Sequence, residues 1–219
     1  MDLKLDLSFI IPVFNGEKTI VRCLDSIYDI GLKEERYEVI VVDDCSTDRT
    51  LQILEDYSAT HQNLVILHQT ENTKPGGARN RGIARAQGAF IQFCDADDTI
   101  EQGMISTLEY AINANLDVCH FHIELGCPTV DMNIPEKMVM TGKDFAERYY
   151  RMASDTGYFW SYLYASSFLK TINHPFVEGR VHEDADWGEY HLWNAPRVAH
   201  LNLPVYSHFE NPVSIMHTY

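Results

Sequence analysis

The sequence predicts an α/β protein with a mostly parallel central sheet and helices on both faces. Near-continuous apolar runs of strand length alternate with segments of helical period through residues 1–125. Polar residues collect directly after three of those runs. Over 219 residues, 45% are hydrophobic and 11% aromatic, which is enough for the packed core of about one domain and excludes a disordered chain.

The elements follow in order. Leu7–Val13 is the first apolar run, a strand buried on both faces. Residues 17–30 carry Ile20, Val21, Leu24 and Ile27 at helical spacing. Residues 38–42 form a second buried strand that ends at Asp43-Asp44. Ser46 to Thr50 supplies hydroxyl and carboxylate caps for a helix whose apolar side is Leu51, Ile53, Leu54 and Tyr57. Residues 63–67 are a third strand. Gly77 to Gln87 is a third helix ended by Gly88, and residues 89–94 are a fourth strand running into Asp95-Ala96-Asp97-Asp98. A helix over 101–115 and a strand over 116–124 complete the regular part.

After residue 126 the rhythm breaks. Residues 127–140 carry Pro128 and Pro135 and read as a loop. Thr141 caps a helix through Met152. Residues 158–164 are aromatic and strand-like, 182–193 are helical, and 197–201 and 204–209 are short strands. There is no repeat and no linker that marks a second domain.

The charge narrows the function. With 32 acidic and 17 basic residues the net charge is −15, so a nucleic-acid binder, which needs a basic footprint, is excluded. Any bound phosphate must be met by a local basic patch, backbone N–H groups or a metal. No apolar run approaches a membrane span, and Asp2 and Asp6 interrupt what would be a signal peptide. The five cysteines (Cys23, Cys45, Cys94, Cys119 and Cys127) are odd in number and form no CxxC. Reduced thiols and an intracellular compartment are therefore expected.

In an open α/β sheet the ligand lies at the carboxyl ends of the strands. The sequence places Asn15 there after the first strand, Asp43 and Asp44 after the second, and Asp95 to Asp98 after the fourth. Three carboxylates within four residues repel one another unless a positive group sits among them, and Mg²⁺ or Mn²⁺ with oxygen ligands is the natural partner. A solvated turn capped by Asp98-Thr99 is the plainer alternative. Asp43 and Asp44 read either as turn residues or as acceptors for a nucleobase imide or ribose hydroxyl.

Residues 72–94 contain no acid but hold Lys74, Arg79, Arg81 and Arg85. Gly76-Gly77 before the expected helix exposes backbone N–H groups to an anion. Arg79 faces the cleft, whereas Arg81 and Arg85 lie on a solvated face. The glycines are not a Walker loop. No GxGxxG opens the first helix and no GxSxG occurs, which disfavours a nicotinamide dehydrogenase and an α/β-hydrolase. Glu183-Asp184 reads as a pair of helix caps or as a general base. His120 and His122 share a strand face and read as structural. His208 and His217 near the C-terminus each read as a surface imidazole or as a group that returns to the cleft and completes a metal's coordination.

These blocks resemble a known family. Ile11-Pro-Val-Phe-Asn-Gly-Glu17, Val42-Asp-Asp-Cys-Ser-Thr-Asp48, Gly76-Gly-Ala-Arg-Asn-Arg-Gly82 and Asp95-Ala-Asp-Asp98 are similar, in order and spacing, to the motifs of family-2 glycosyltransferases of the GT-A fold. Trp160, Leu163-Tyr164, Glu183-Asp184 and the Tyr206 to Ile215 segment resemble the later motifs more loosely. Tyr162 stands where lysine is usual, Ser207 where arginine is common, and Cys45 where glycine is usual.

The resemblance implies one GT-A domain over 1–219, with 1–125 binding the nucleotide-sugar and 126–219 the acceptor. It implies that Pro12, Val13 and Phe14 flank the nucleobase, that Glu17 and Asp44 hold the nucleoside, and that Asp184 is the catalytic base. Asp43, Gly76, Gly77, Arg79, Asp95, Ala96, Trp160 and Glu183 complete the expected substrate site. Asp95, Asp97, Asp98 and His217 complete the expected site for Mn²⁺ or Mg²⁺. The implied reaction is inverting transfer from a nucleotide-diphospho-sugar, often UDP-linked, to a glycan or lipid-linked acceptor. It would run in polysaccharide or glycoconjugate synthesis, in the cytoplasm, with peripheral association at the inner membrane face. A nucleotidyltransferase and a non-catalytic nucleotide-sugar or glycan-binding module are the rival readings.

Overall fold

The structure is a computed structural model that describes residues 5–124, 135–149, 158–180 and 183–209. Its strands are β1 (Leu7–Val13), β2 (Tyr37–Asp43), β3 (Leu64–His68), β4 (Phe90–Phe93), β5 (Thr99–Ile100), β6 (Val118–Glu124), β7 (Tyr162–Ala165) and β8 (Val198–Ser207). The helices are α1 (Ile20–Tyr28), α2 (Thr50–Ser58), α3 (Lys74–Arg85), α4 (Gly103–Asn113), α5 (Gly142–Tyr149), α6 (Ser166–Ile172) and α7 (Asp184–Asn194). The eight strands form one sheet in the order β3-β2-β1-β4-β7-β6-β8-β5.

The first half matches the expected βαβ rhythm. β1 pairs in parallel with β2 on one side and β4 on the other, in registers that run Leu7 to Tyr37 and Leu7 to Phe90. Phe9, Ile10 and Ile11 are fully buried, as are Val39 to Val42, which is why these runs lack polar alternation. α3 lies close on β1, because a Cβ on Gly82 would stand 2.4 Å from Ile10 Cγ2. Any side chain at 82 would push the helix off the sheet.

The second half adds antiparallel pairs to the mostly parallel sheet. β7 inserts between β4 and β6 and is antiparallel to both, while β8 runs parallel to β6 and antiparallel to β5. The sheet is therefore mixed beyond β4. Periodicity fixes which segments are strands, not which strand sits beside which. The two short C-terminal strands expected are one strand, β8, with register irregularities opposite Phe121–His122 and His122–Ile123. α6 and β5 were not expected. β5 has only two residues, too few for a periodic signal. The expected helix through Met152 is described as far as Tyr149, and the expected loop over 127–140 is described only from residue 135.

Among the described late histidines, His120, His191 and His200 are buried structural residues. His120 Nδ1 lies 2.9 Å from His200 Nδ1, with both rings buried between β6 and β8. Burial is the main cause that lowers His200 from 6.5 to about 4, helped by His122. Burial likewise lowers His191 on α7 to about 4 against the opposing pull of the Trp187 carbonyl, with His174 adding to the decrease. Both are neutral in the folded protein at neutral pH. Below about 6.5 the unfolded chain binds protons that the native state refuses until about 4, so stability falls as pH drops through that window. Each group is expected to cost about 2 kcal/mol at pH 5 relative to neutral pH. Urea midpoints near pH 7.5 and pH 5 check this, with His191→Gln flattening the slope; equal slopes for the two proteins would reject the assignment.

Candidate active site

The loops after β1 and β2 are laced together at the carboxyl edge of the sheet. The Asn15 N–H donates to Ser46 Oγ (2.9 Å), the Thr47 N–H to Asn15 Oδ1 (2.8 Å), and the Gly16 N–H to Thr50 Oγ1 (2.8 Å). Cys45 adopts φ 65, in the left-handed region. This accounts for glycine being usual there, since a side chain in that conformation is strained. Phe14 is left 47% exposed at this edge, Pro12 is half-buried and Val13 is buried. Glu17 accepts from the N–H and Nε of Arg49 (3.2 and 3.3 Å), so its carboxylate already serves the start of α2.

Asp43 and Asp44 are both buried but differ in what they offer. Asp43 accepts from His68 Nδ1 (2.7 Å) with one oxygen and from the Ser46 N–H (3.3 Å) with the other, so it holds the turn. Asp44 concentrates its bonds on Oδ1, which accepts from Gln69 Nε2 (2.6 Å), the Thr73 N–H (2.8 Å) and Thr73 Oγ1 (3.1 Å).

Gly76 and Gly77 do not form a loop ahead of the helix. α3 begins at Lys74, and both glycines are buried in its first turn. A Cβ on Gly76 would stand 2.8 Å from the Val177 carbonyl and 2.9 Å from Glu183 Cγ, so the absent side chain lets residues 176–177 and Glu183 close over the helix. Arg85, expected on a solvated face, pairs with buried Glu38 at 3.4 Å.

Arg79, buried on α3, joins the two halves of the cleft. Nη1 donates to Glu183 Oε1 (2.5 Å) and Nη2 to Asp95 Oδ1 (2.9 Å). Its guanidinium also lies 4.3 Å from the Phe159 ring centroid and 5.5 Å from that of Phe176. Those rings belong to an aromatic box in which Trp187 stacks on Phe176 at 4.2 Å and Phe93 meets Trp187 edge-on at 5.4 Å. The box seats the start of α7 over the end of β4. The sequence marked residues 158–164 as aromatic and strand-like and singled out Trp160, but nothing in it marked Phe159 or Phe176.

The acidic loop is shared out among different partners. Asp98, expected as a metal ligand, is fully buried and consumed by the protein. It accepts from Tyr206 Oη (2.5 Å), His208 Nδ1 (3.0 Å) and the Phe209 N–H (2.9 Å). The antiparallel β5–β8 pairing delivers those groups, and the pairing was not legible beforehand. Hydrogen bonding to Asp98 raises the His208 pKa above its usual range, against the opposing effect of burial. Asp95, Ala96 and Asp97 stay half-buried at the cleft. Arg22 Nη2 donates to the Asp97 carbonyl (2.5 Å) and lies over the Phe209 ring (4.1 Å), fixing the loop from below.

Among the described residues no three His, Cys, Asp or Glu side chains gather as metal donors. His217 lies outside the described residues. The donor set still suits Mg²⁺ or Mn²⁺, since Mg²⁺ sites often use one or two carboxylates plus substrate phosphates. Burial pushes Asp95 up to about 6 despite the Arg79 charge beside it, with Asp98 and Asp97 adding to the increase.

Trp160 is buried in a stack with Tyr206 (4.5 Å) and Tyr158 (4.6 Å). Its ring backs the Tyr206 that serves Asp98, rather than presenting a face to the cleft. Glu183, also buried, is held by Arg79. Asp184, the first residue of α7, is half-buried and makes no hydrogen bond or ion pair with any described residue.

The fold and this cleft define a GT-A domain of the nucleotide-diphospho-sugar transferase type. Structures of TarS from Staphylococcus aureus superpose on it. The TarS 1–349 complex with UDP-GlcNAc gives a TM-score of 0.80 at 25% identity, over 98% of this chain and 61% of that one. The sequence profile of glycosyl transferase family 2 matches residues 8–167, and the chain belongs to that family. It is 32% identical to the uncharacterized glycosyltransferase EpsJ of Bacillus subtilis, over 95% of this chain and 62% of that protein. It is 43% identical to the poly(ribitol-phosphate) beta-glucosyltransferase of Bacillus spizizenii, over 44% of this chain and 15% of that protein. The chain thus spans less than two thirds of the length of these relatives.

Proposed function

We propose that the protein transfers a sugar with inversion from a nucleotide-diphospho-sugar, UDP-linked, to an acceptor hydroxyl in polysaccharide or glycoconjugate synthesis. The observation that carries this is the Arg79 bridge. It brings the acidic loop and the Glu183-Asp184 pair into one cleft in a family-2 fold. The UDP-GlcNAc bound by TarS supports the donor class. The nucleoside sits between Phe14 and Asp44, with Pro12, Val13 and Glu17 around it. Residues 1–125 supply that half of the cleft, and residues 126–219 the half for a glycan or lipid-linked acceptor. Asp184 takes the proton of the attacking hydroxyl, and Arg79 keeps Glu183 from competing for that position. A divalent cation held by Asp97 with Asp95 would neutralise charge on the departing diphosphate. No helix among the described residues is long and apolar enough to cross a membrane. We place the reaction in the cytoplasm, at the inner membrane face when the acceptor is lipid-linked.

Transfer or hydrolysis assays across UDP-, GDP- and CDP-sugars test the reading, and no turnover with any of them would favour a non-catalytic binding module. The cation has its own test. Asp97→Asn is expected to weaken UDP binding by about tenfold with Mn²⁺ present and little without it. Calorimetry giving equal affinities in Mn²⁺ for the variant and the wild type would remove Asp97 from the site.

A further inference from the structure

Gln69 is buried at the end of β3, outside every motif of the sequence, and only 1% exposed. Its side-chain amide donates to Asp44 Oδ1 (2.6 Å) and to Thr73 Oγ1 (2.9 Å). Chemistry fixes the orientation of the amide, because a carboxylate oxygen can only accept and the nitrogen must face it. Thr73 closes the ring by donating to the same Oδ1 from its hydroxyl (3.1 Å) and its backbone N–H (2.8 Å). Three donors thus converge on one oxygen of Asp44. The other, Oδ2, has no bond to a described residue, in a side chain held at the carboxyl edge of the sheet. Asp43 next to it is fully buried, with one oxygen on His68 and the other on the Ser46 N–H. Of the four oxygens of the Asp43-Asp44 pair, Asp44 Oδ2 is the one without a hydrogen bond to a described residue.

We infer that Gln69, with Thr73, is the positioning residue for nucleobase selection: it saturates Asp44 Oδ1 and turns Oδ2 outward as a fixed, acceptor-only edge for a uracil-type imide N–H. This rests on the proposed role of Asp44 toward the nucleoside. An acceptor-only edge pairs with the N3–H of uracil and meets a lone pair at N3 of cytosine. Selection therefore depends on the carboxylate not rotating, and Gln69 and Thr73 are the groups that prevent it. The Gln69 carbonyl oxygen is itself buried without a partner. The amide is held by what its nitrogen does, at the cost of leaving that acceptor unsatisfied.

The test uses calorimetric affinities for UDP and CDP, with donor KM and kcat, for wild type, Gln69→Leu and Asp44→Asn. Gln69→Leu is expected to lose about tenfold in UDP affinity and a similar factor in the UDP:CDP ratio, as an increase in KM with kcat retained. If the ratio collapses in Asp44→Asn but is unchanged in Gln69→Leu, Asp44 still reads the base and the positioning role of Gln69 is overturned. If wild type does not discriminate UDP from CDP, the role of Asp44 fails first and the inference falls with it. Should Gln69→Leu not fold, Thr73→Val removes the other side-chain donor of the ring and is read by the same ratio.

Discussion

Asp184→Asn is expected to lower turnover by about 10²–10⁴-fold, the range typical of general-base catalysis, while leaving affinity for the nucleotide-sugar unchanged. The substitution is nearly isosteric and removes only the ability to take a proton. The structure separates this residue from its neighbour. Glu183 is buried and tied to Arg79, whereas Asp184 begins α7 half-buried and without a partner among the described residues. Adjacent helical positions differ by about 100°, so the two side chains do not serve one point in the cleft. Single-turnover and steady-state rates with a responsive donor decide the matter. A loss confined to donor affinity would reassign Asp184 to ground-state binding, and near-wild-type turnover would move the base elsewhere.

Arg79→Met is expected to be the most destabilising single change in the cleft, by about 3–5 kcal/mol. The replacement keeps bulk against Phe159 and Phe176 but leaves Glu183 buried without its cation. Breaking a buried pair costs more than the pair itself contributes, because the remaining charge stays desolvated. Asp95 loses its partner as well, but its carboxylate is 32% exposed, which lets water replace part of that contact. Urea unfolding measures the change, and Arg79→Met combined with Glu183→Gln should recover part of it. A loss below about 1 kcal/mol would mean that Glu183 finds another partner or reaches water.

The divergence between expectation and structure follows the range of the interactions. Asp95 to Asp98 looked like one metal-binding cluster because the four residues are adjacent and three are acids. In the fold they separate. Asp95 goes to Arg79 and Asp98 to Tyr206 and His208, so Asp97 is the residue whose cation role most needs its own test. The contacts that divide them span from 16 to 110 residues of sequence. A local pattern carries no information about partners so far away. Gly76-Gly77 shows the same limit in where the helix starts. Paired glycines before a helix suggest an anion loop, and the approach of Val177 and Glu183, which a Cβ at Gly76 would meet at 2.8 and 2.9 Å, is visible only in the fold.

The sequence by itself determined the βαβ order through β4, the burial of β1 and β2 on both faces, the edge of the sheet where the polar residues gather, and the family. Each is set by local periodicity or by a short motif. Only the tertiary structure decided that β7 separates β4 from β6, that β8 closes over the acidic loop, that Arg79 spans two carboxylates, and that Gln69 holds Asp44. Those features depend on which distant side chains become neighbours once water is excluded. In that environment a buried donor or charge left without a partner is costly, so most of them pair with whatever the fold brings beside them.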